Sequence, residues 1–151
     1  MNEGNRMNDI RGLGDAASSP FVATGLSVSL TVSDLGASVA WYRDVIGFEV
    51  ERQFEREGKA FAARLRAGPV ALLVTQDDGA RGPGRAKGEG LSLRFTTEQS
   101  VDALADRAKA RGVTLESEPF EAWGMRAFRV RDPDGFLLVI SSEAPEARTR
   151  G

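Results

Sequence analysis

The chain has 151 residues, 41% hydrophobic and 28% charged, and its 20 basic and 22 acidic side chains give a formal charge of −2. That is the size and balance of one globular domain, without the basic footprint of a nucleic-acid binder. The sequence holds 0 Cys and 0 His, which removes disulfides, thiolate zinc sites, Ser-His-Asp and Cys-His nucleophiles and nearly every transition-metal site.

Residues 1–24 are polar and Gly-rich, with no apolar run of the length a secretory leader needs, and read as a disordered N-terminal arm. No stretch approaches the roughly 18–20 apolar residues of a membrane span, so a cytoplasmic protein is expected. Leu26 to Val32 alternates apolar and small polar residues, the pattern of a half-buried strand. Ser33-Asp34 can cap a helix that carries Val39, Trp41, Tyr42, Val45 and Ile46 and ends before Gly47. Strands are predicted at Phe48–Phe54, Ala60–Arg66 and Val70–Thr75, separated by Glu57-Gly58 and Ala67-Gly68-Pro69. The first half thus reads βαβββ over residues 25–76.

Residues 77–89 form a polar, Gly-rich linker with Arg81, Arg85 and Lys87. They lack the strand-loop-helix context of a phosphate loop and read as a solvated surface loop. The order then repeats over residues 90–142. Leu91 to Thr96 alternates, and a helix with Val101, Leu104, Ala105 and Ala108 on one face stops at Gly112. Strands follow at Thr114–Glu118, Met125–Arg131 and Phe136–Ser141, with Asp132-Pro133-Asp134-Gly135 as the last turn. Laying Gly25-Leu26-Ser27 on Gly90-Leu91-Ser92 gives an offset of 65 that also carries Gly47 onto Gly112, which points to an internal duplication. Residues 143–151 read as a flexible tail. The expected class is α+β, with two βαβββ modules.

Two motifs carry a resemblance. Val32-Ser33-Asp34-Leu35 with Ser38-Val39-Ala40-Trp41-Tyr42-Arg43-Asp44-Val45-Ile46-Gly47-Phe48, together with Arg131-Asp132-Pro133-Asp134-Gly135-Phe136, resembles the vicinal oxygen chelate superfamily of glyoxalase I, extradiol dioxygenases, fosfomycin resistance enzymes and bleomycin resistance proteins. The resemblance implies two modules whose mixed sheets curl into open cups, with the ligand or metal in the concavity. It puts the four metal positions of metal-dependent members on Ser27, Leu73, Ser92 and Val139. Two hydroxyls and two aliphatic side chains do not make an N/O coordination shell, so neither metal nor other cofactor is expected.

If Ser27 faces the cup, alternation puts Ser29 and Thr31 there too, and Ser92, Arg94 and Thr96 share the face in the second module. Arg94 there reads either as a dock for a ligand anion or as half of an internal ion pair. Trp123, at a Gly-flanked hairpin, could stack on a flat ligand, plug the core or seal a dimer seam. Trp41 and Tyr42 read as helix packing.

The favoured function is a metal-independent small-molecule binding protein that sequesters an aromatic or anionic metabolite or antibiotic, as the bleomycin resistance branch implies. Ser27, Ser29, Leu73, Ser92, Arg94, Trp123 and Val139 are its candidate ligand-binding residues. A metal-independent lyase or isomerase in the same cup is the alternative, with Tyr42, Arg94 and Glu116, Glu118 or Glu121 as acid-base candidates. A metal-dependent glyoxalase or dioxygenase follows if the ligand positions are misassigned, and a purely structural or regulatory homodimer is a third reading. The open sheet edges lead us to expect a homodimer, with no nucleic-acid or membrane partner.

Overall fold

The computed structural model describes residues 19–144. Its elements are β1 (Ser29–Val32), α1 (Leu35–Trp41), a π-turn (Tyr42–Ile46), β2 (Glu49–Arg56), β3 (Lys59–Ala67) and β4 (Val70–Gln76), then β5 (Ser92–Thr96), α2 (Val101–Ala110), β6 (Ser117–Ala122), β7 (Met125–Arg131) and β8 (Leu137–Glu143). They form two four-stranded sheets of the same topology, ordered β1-β4-β3-β2 and β5-β8-β7-β6. In each, the first and last strands of the module pair in parallel and the remaining pairings are antiparallel. This is the expected α+β fold of two βαβββ modules with open sheets.

Local chemistry explains the boundaries. Asp34 caps α1 by accepting from Ala37 N at 3.0 Å, and Ser100 caps α2 by accepting from Ala103 N at 3.1 Å. The Tyr42 carbonyl accepts from both Gly47 N and Phe48 N, each at 2.9 Å, and Gly47 at φ 108° lets the chain leave the helix there. Hairpins β2–β3 and β6–β7 turn on Glu57-Gly58 and Trp123-Gly124, both residues at positive φ in each pair.

Alternation then sorts the faces. Leu30, Val32, Leu72 and Val74 on the first sheet and Leu93, Phe128, Val130, Leu138 and Ile140 on the second are buried, and they join helix residues Val39, Tyr42, Val101 and Ala105 in one core shared by both modules. An aromatic chain crosses the junction. Trp41, Tyr42, Phe48 and Phe95 meet edge to face at centroid distances of 5.0, 5.5 and 5.7 Å. Beside it the buried Tyr42 hydroxyl donates to Asp132 Oδ2 at 2.7 Å, and Arg107 reaches the Arg43 and Asp44 carbonyls. The motifs that carried the resemblance therefore clamp the two modules together.

Some boundaries move. The first strand starts at Ser29 rather than Leu26, with Val28 O accepting from Leu73 N as its last tie. The strand predicted at Thr114–Glu118 runs instead from Ser117 to Ala122, with a register shift against β7 between Ser117 and Phe120. The last strand extends through Glu143, and Ala144 is buried with its N–H on the Gly124 carbonyl at 2.8 Å, so the expected tail begins later than residue 143. Most of the expected arm, residues 1–18, and residues 145–151 lie outside the described residues. Among the described residues no helix is long and apolar enough to cross a membrane.

Candidate functional site

The sheet faces turned away from the helices are the candidate site, and strand register fixes what lies on them. On the first sheet Ser29, Leu73, Arg64 and Arg52 share one row, and Thr31, Thr75, Ala62 and Phe54 the next. On the second sheet Arg94, Val139, Arg129 and Ser117 share a row, flanked by Ser92, Leu137 and Arg131 on one side and by Thr96, Ser141, Ala127 and Phe120 on the other. The structure therefore pairs Ser29 with Leu73 in one cup and places Ser92, Arg94 and Val139 together in the other. The predicted alternation holds, with Ser29 and Thr31 exposed and Leu30 and Val32 buried between them.

Two candidates fall outside this arrangement. Ser27 is exposed and precedes β1, outside the paired rows. Trp123 is 99% exposed at the β6–β7 turn, with φ 51°, so within one chain it neither closes over a cup nor plugs the core.

The linker is more than a solvated loop. Lys87 Nζ donates to Asp77 Oδ2 at 2.6 Å and to the Thr31 carbonyl at 3.2 Å, which folds residues 77–88 over the mouth of the first cup. The Lys87 ammonium and the Gly79 N–H hold the Asp77 carboxyl below its ordinary range. The result is an open cavity of about 640 Å³ lined by Ser29, Thr31, Thr75, Arg81, Arg85 and Lys87, with Arg81 and Arg85 exposed as a surface loop predicts. A second cavity of about 570 Å³ lies between the linker and Ser92, Arg131 and Leu137, and shares Lys87 and Gly88 with the first. Gly88 is obligatory at this seam. Its φ is 74°, and a Cβ there would stand 2.6 Å from the Phe136 ring and 3.0 Å from the Phe136 Cα.

The acid-base candidates are each committed elsewhere. Tyr42 is fully buried on the helix side, and burial with the neighbouring Asp132 pushes its phenol far above the ordinary value. Asp132 is itself raised by burial, although the Tyr42 hydroxyl and the Phe136 and Asp134 N–H groups partly offset this, and it belongs to the module junction rather than to a cup. Glu116 is held below the usual carboxylate range by hydrogen bonds from Arg131, at 2.7 and 3.1 Å. Glu118 pairs with Lys109 and Glu121 with Arg126. A general base working near neutrality needs a raised pKa and a place facing the ligand, and none of these groups combines the two.

The metal test turns on donor chemistry. The positions that the resemblance assigned to ligands carry Ser27, Leu73, Ser92 and Val139, and among the described residues no group of three or more His, Cys, Asp or Glu could hold an ion. These residues do not fit a divalent transition metal.

Arg94 has no hydrogen bond or ion pair with any described residue, so the ion pair considered for it is not formed. Arg129, its neighbour across Val139, was missed by sequence reasoning. Its signal was present in the alternation of Arg129 and Arg131 on one face of β7, at the same offset of 65 from Arg64 and Arg66.

Comparison with known proteins places this geometry. The model of the Glyoxalase/Bleomycin resistance protein/Dioxygenase superfamily matches residues 26–140. The chain is 29% identical to the uncharacterized protein YraH of Bacillus subtilis over 124 residues, covering 76% of this chain and 94% of that one. It is 26% identical to virulence protein STM3117 of Salmonella typhimurium over 119 residues, covering 74% and 78%. Among solved structures, TioX from Micromonospora superposes with a TM-score of 0.63 at 24% identity, covering 80% of this chain and 97% of that one. A glyoxylase/bleomycin resistance protein/dioxygenase domain from Frankia gives 0.66 at 21%, covering 82% and 99%. At these identities the superpositions speak for the fold.

Proposed function

The chain belongs to the Glyoxalase/Bleomycin resistance protein/Dioxygenase superfamily, and on that premise we propose that it is a metal-independent binding protein that sequesters a flat aromatic or anionic small molecule, a metabolite or an antibiotic, against the concave faces of its sheets. The observation that carries the reading is the chemistry of the two rows built on Leu73 and Val139. Each has an aliphatic floor beside small hydroxyls or guanidinium groups, and neither presents a free carboxylate as base. Such a surface can hold an apolar body and orient a polar group on it. Neither row carries a carboxylate, although Asp77 and Asp78 line the cavity under the linker. The cavity of about 640 Å³ under the linker meets the first sheet at Ser29, Thr31 and Thr75 rather than at Leu73, and its volume is within the usual range for small ligands.

The working unit of this reading is a homodimer. β1 and β5 are edge strands, and Leu26 and Leu91 just before them are 93% and 47% exposed at positions equivalent under the internal repeat. Joining the β1 edge of one protomer to the β5 edge of its partner covers these leucines and brings a Ser29 row beside an Arg94 row.

The test is thermal stabilisation of chelator-treated protein by planar aromatic antibiotics, phenazine-1-carboxylate and neutral phenazine. A compound present at about 100 times its dissociation constant adds roughly 2.7 kcal/mol, a rise of several degrees in Tm. Stabilisation by planar compounds without metal is expected. A Tm that responds to none of them, but rises on binding one equivalent of a transition metal, would overturn the reading.

A further inference from the structure

The two modules repeat one arrangement of charges, and the repeat is broken at one side chain. In the first module Glu51 bridges both β3 arginines, with Oε2 2.6 Å from Arg64 Nε and Oε1 accepting from Arg66 Nε. The offset of 65 maps these three onto Glu116, Arg129 and Arg131. In the second module, however, Glu116 gives both carboxylate oxygens to Arg131, at 2.7 and 3.1 Å. The Arg129 guanidinium is left over the ring of Phe120, with Cζ 5.4 Å from the centroid, and its Nε is buried with no hydrogen-bond partner. A buried guanidinium N–H without an acceptor is costly, and the Arg129 charge, unlike that of Arg131, is not spent on Glu116.

Arg129 is also placed to act with a second cation. Register puts Arg94 and Arg129 on the two strands flanking Val139, so their Cα atoms lie about 10 Å apart across β8. Val139 between them is 2% exposed, and Arg94 is unpaired among the described residues. Two guanidinium forks on either side of an aliphatic floor, with an aromatic ring at one end, suit a flat molecule that carries an oxyanion.

From this we infer that Arg129, with Arg94 opposite, forms an oxyanion clamp in the second cup, and that its ligands are planar aromatic carboxylates or sulfonates whose rings lie beside Phe120. The inference rests on the cup reading above and adds to it the class of ligand and the residue that selects it. The pseudo-equivalent Arg64, neutralised by Glu51, makes the first cup an internal control.

Two dyes that differ by one sulfonate make the test. 8-Anilinonaphthalene-1-sulfonate and the uncharged N-phenyl-1-naphthylamine are titrated by fluorescence into wild-type protein and into Arg129→Gln, Arg94→Gln and Arg64→Gln. The sulfonate dye should bind wild type in a salt-sensitive manner. Arg129→Gln should weaken it about 10- to 100-fold and Arg94→Gln by a smaller factor, while the neutral dye stays within about twofold throughout. Arg64→Gln, whose cation Glu51 already neutralises, should weaken the sulfonate dye less than Arg129→Gln does. The Tm of Arg129→Gln should equal or exceed that of wild type, since the substitution removes an unpartnered buried N–H, and this separates lost binding from lost folding. If both dyes bind and Arg129→Gln holds the sulfonate dye as tightly as wild type, the clamp is wrong and the cup reading stands. If neither dye binds wild type, both fall.

Discussion

Replacing Asp132 by alanine should lower the unfolding free energy by about 3–5 kcal/mol. The carboxylate is buried at the junction of the modules, where Oδ2 accepts from the Tyr42 hydroxyl at 2.7 Å and Oδ1 from the N–H groups of Asp134 and Phe136, each at 2.9 Å. Alanine leaves these donors without an acceptor in a site closed to water. Asparagine keeps the two N–H bonds through its amide oxygen and donates its NH₂ to the Tyr42 oxygen, but leaves the phenol proton without an acceptor, so Asp132→Asn should cost about 1–2 kcal/mol. Tyr42→Phe should cost about 2 kcal/mol at neutral pH, because it removes the charge-assisted donor from an ionised carboxylate. Burial raises the Asp132 pKa in the folded state, so its contribution is fully present below the unfolded value near ~3.9 and is lost as pH rises through the folded value. The Tyr42 hydroxyl opposes that rise by donating to the ionised form, so the Tyr42→Phe deficit relative to wild type should shrink in acid. Urea titrations of the four proteins at neutral and acid pH check this, and a Tyr42→Phe deficit independent of pH would contradict it.

The other large effect is on assembly. Glutamate in place of both Leu26 and Leu91 should convert the proposed dimer into monomers. Fully burying a leucine contributes roughly 1.5–3 kcal/mol, and symmetry repeats each contact in the second protomer. Adding the cost of desolvating the new carboxylates, the dissociation constant should rise by about a thousandfold or more. Both leucines lie outside the core cluster, so the monomer should keep its fold. Light scattering should report twice the 16.2 kDa chain mass for wild type and that mass for the variant. A wild-type chain that scatters as a monomer at micromolar concentration would contradict the assembly.

The fold was legible because the chain states it locally and twice. Strict alternation from Ser29 to Val32 and again from Ser92 to Thr96, Asp34 and Ser100 as caps, and Gly47 and Gly112 past the helices all act within a few residues of one another. What escaped depends on distance along the chain or on a bulge. Tyr42 and Asp132 are 90 residues apart and meet only when the modules pack. The register shift between Ser117 and Phe120 in β6 left no signal in hydrophobic periodicity. In the site, the resemblance pointed to Leu73 and Val139, and alternation from Ser92 added Arg94. Arg129 shows in the alternation of β7, but what sets it apart from Arg131, the acceptor it lacks, appears only once Glu116 is seen to be spent on Arg131. Trp123 was weighed for its ring and its glycine neighbour, but the tight turn that the pair forms directs the indole to solvent.

The central claim is that the sheet faces carrying Leu73 and Val139 bind a flat small molecule without a metal. Methyl-resolved NMR of chelator-treated protein, titrated with phenazine-1-carboxylate, tests it most directly. The account predicts saturable shifts at the Leu73 and Val139 methyl groups, with smaller changes at Leu30 and Leu138 on the helix side of the same sheets. Shifts confined to other regions of the chain, or shifts that appear only after a transition metal is added, would contradict it.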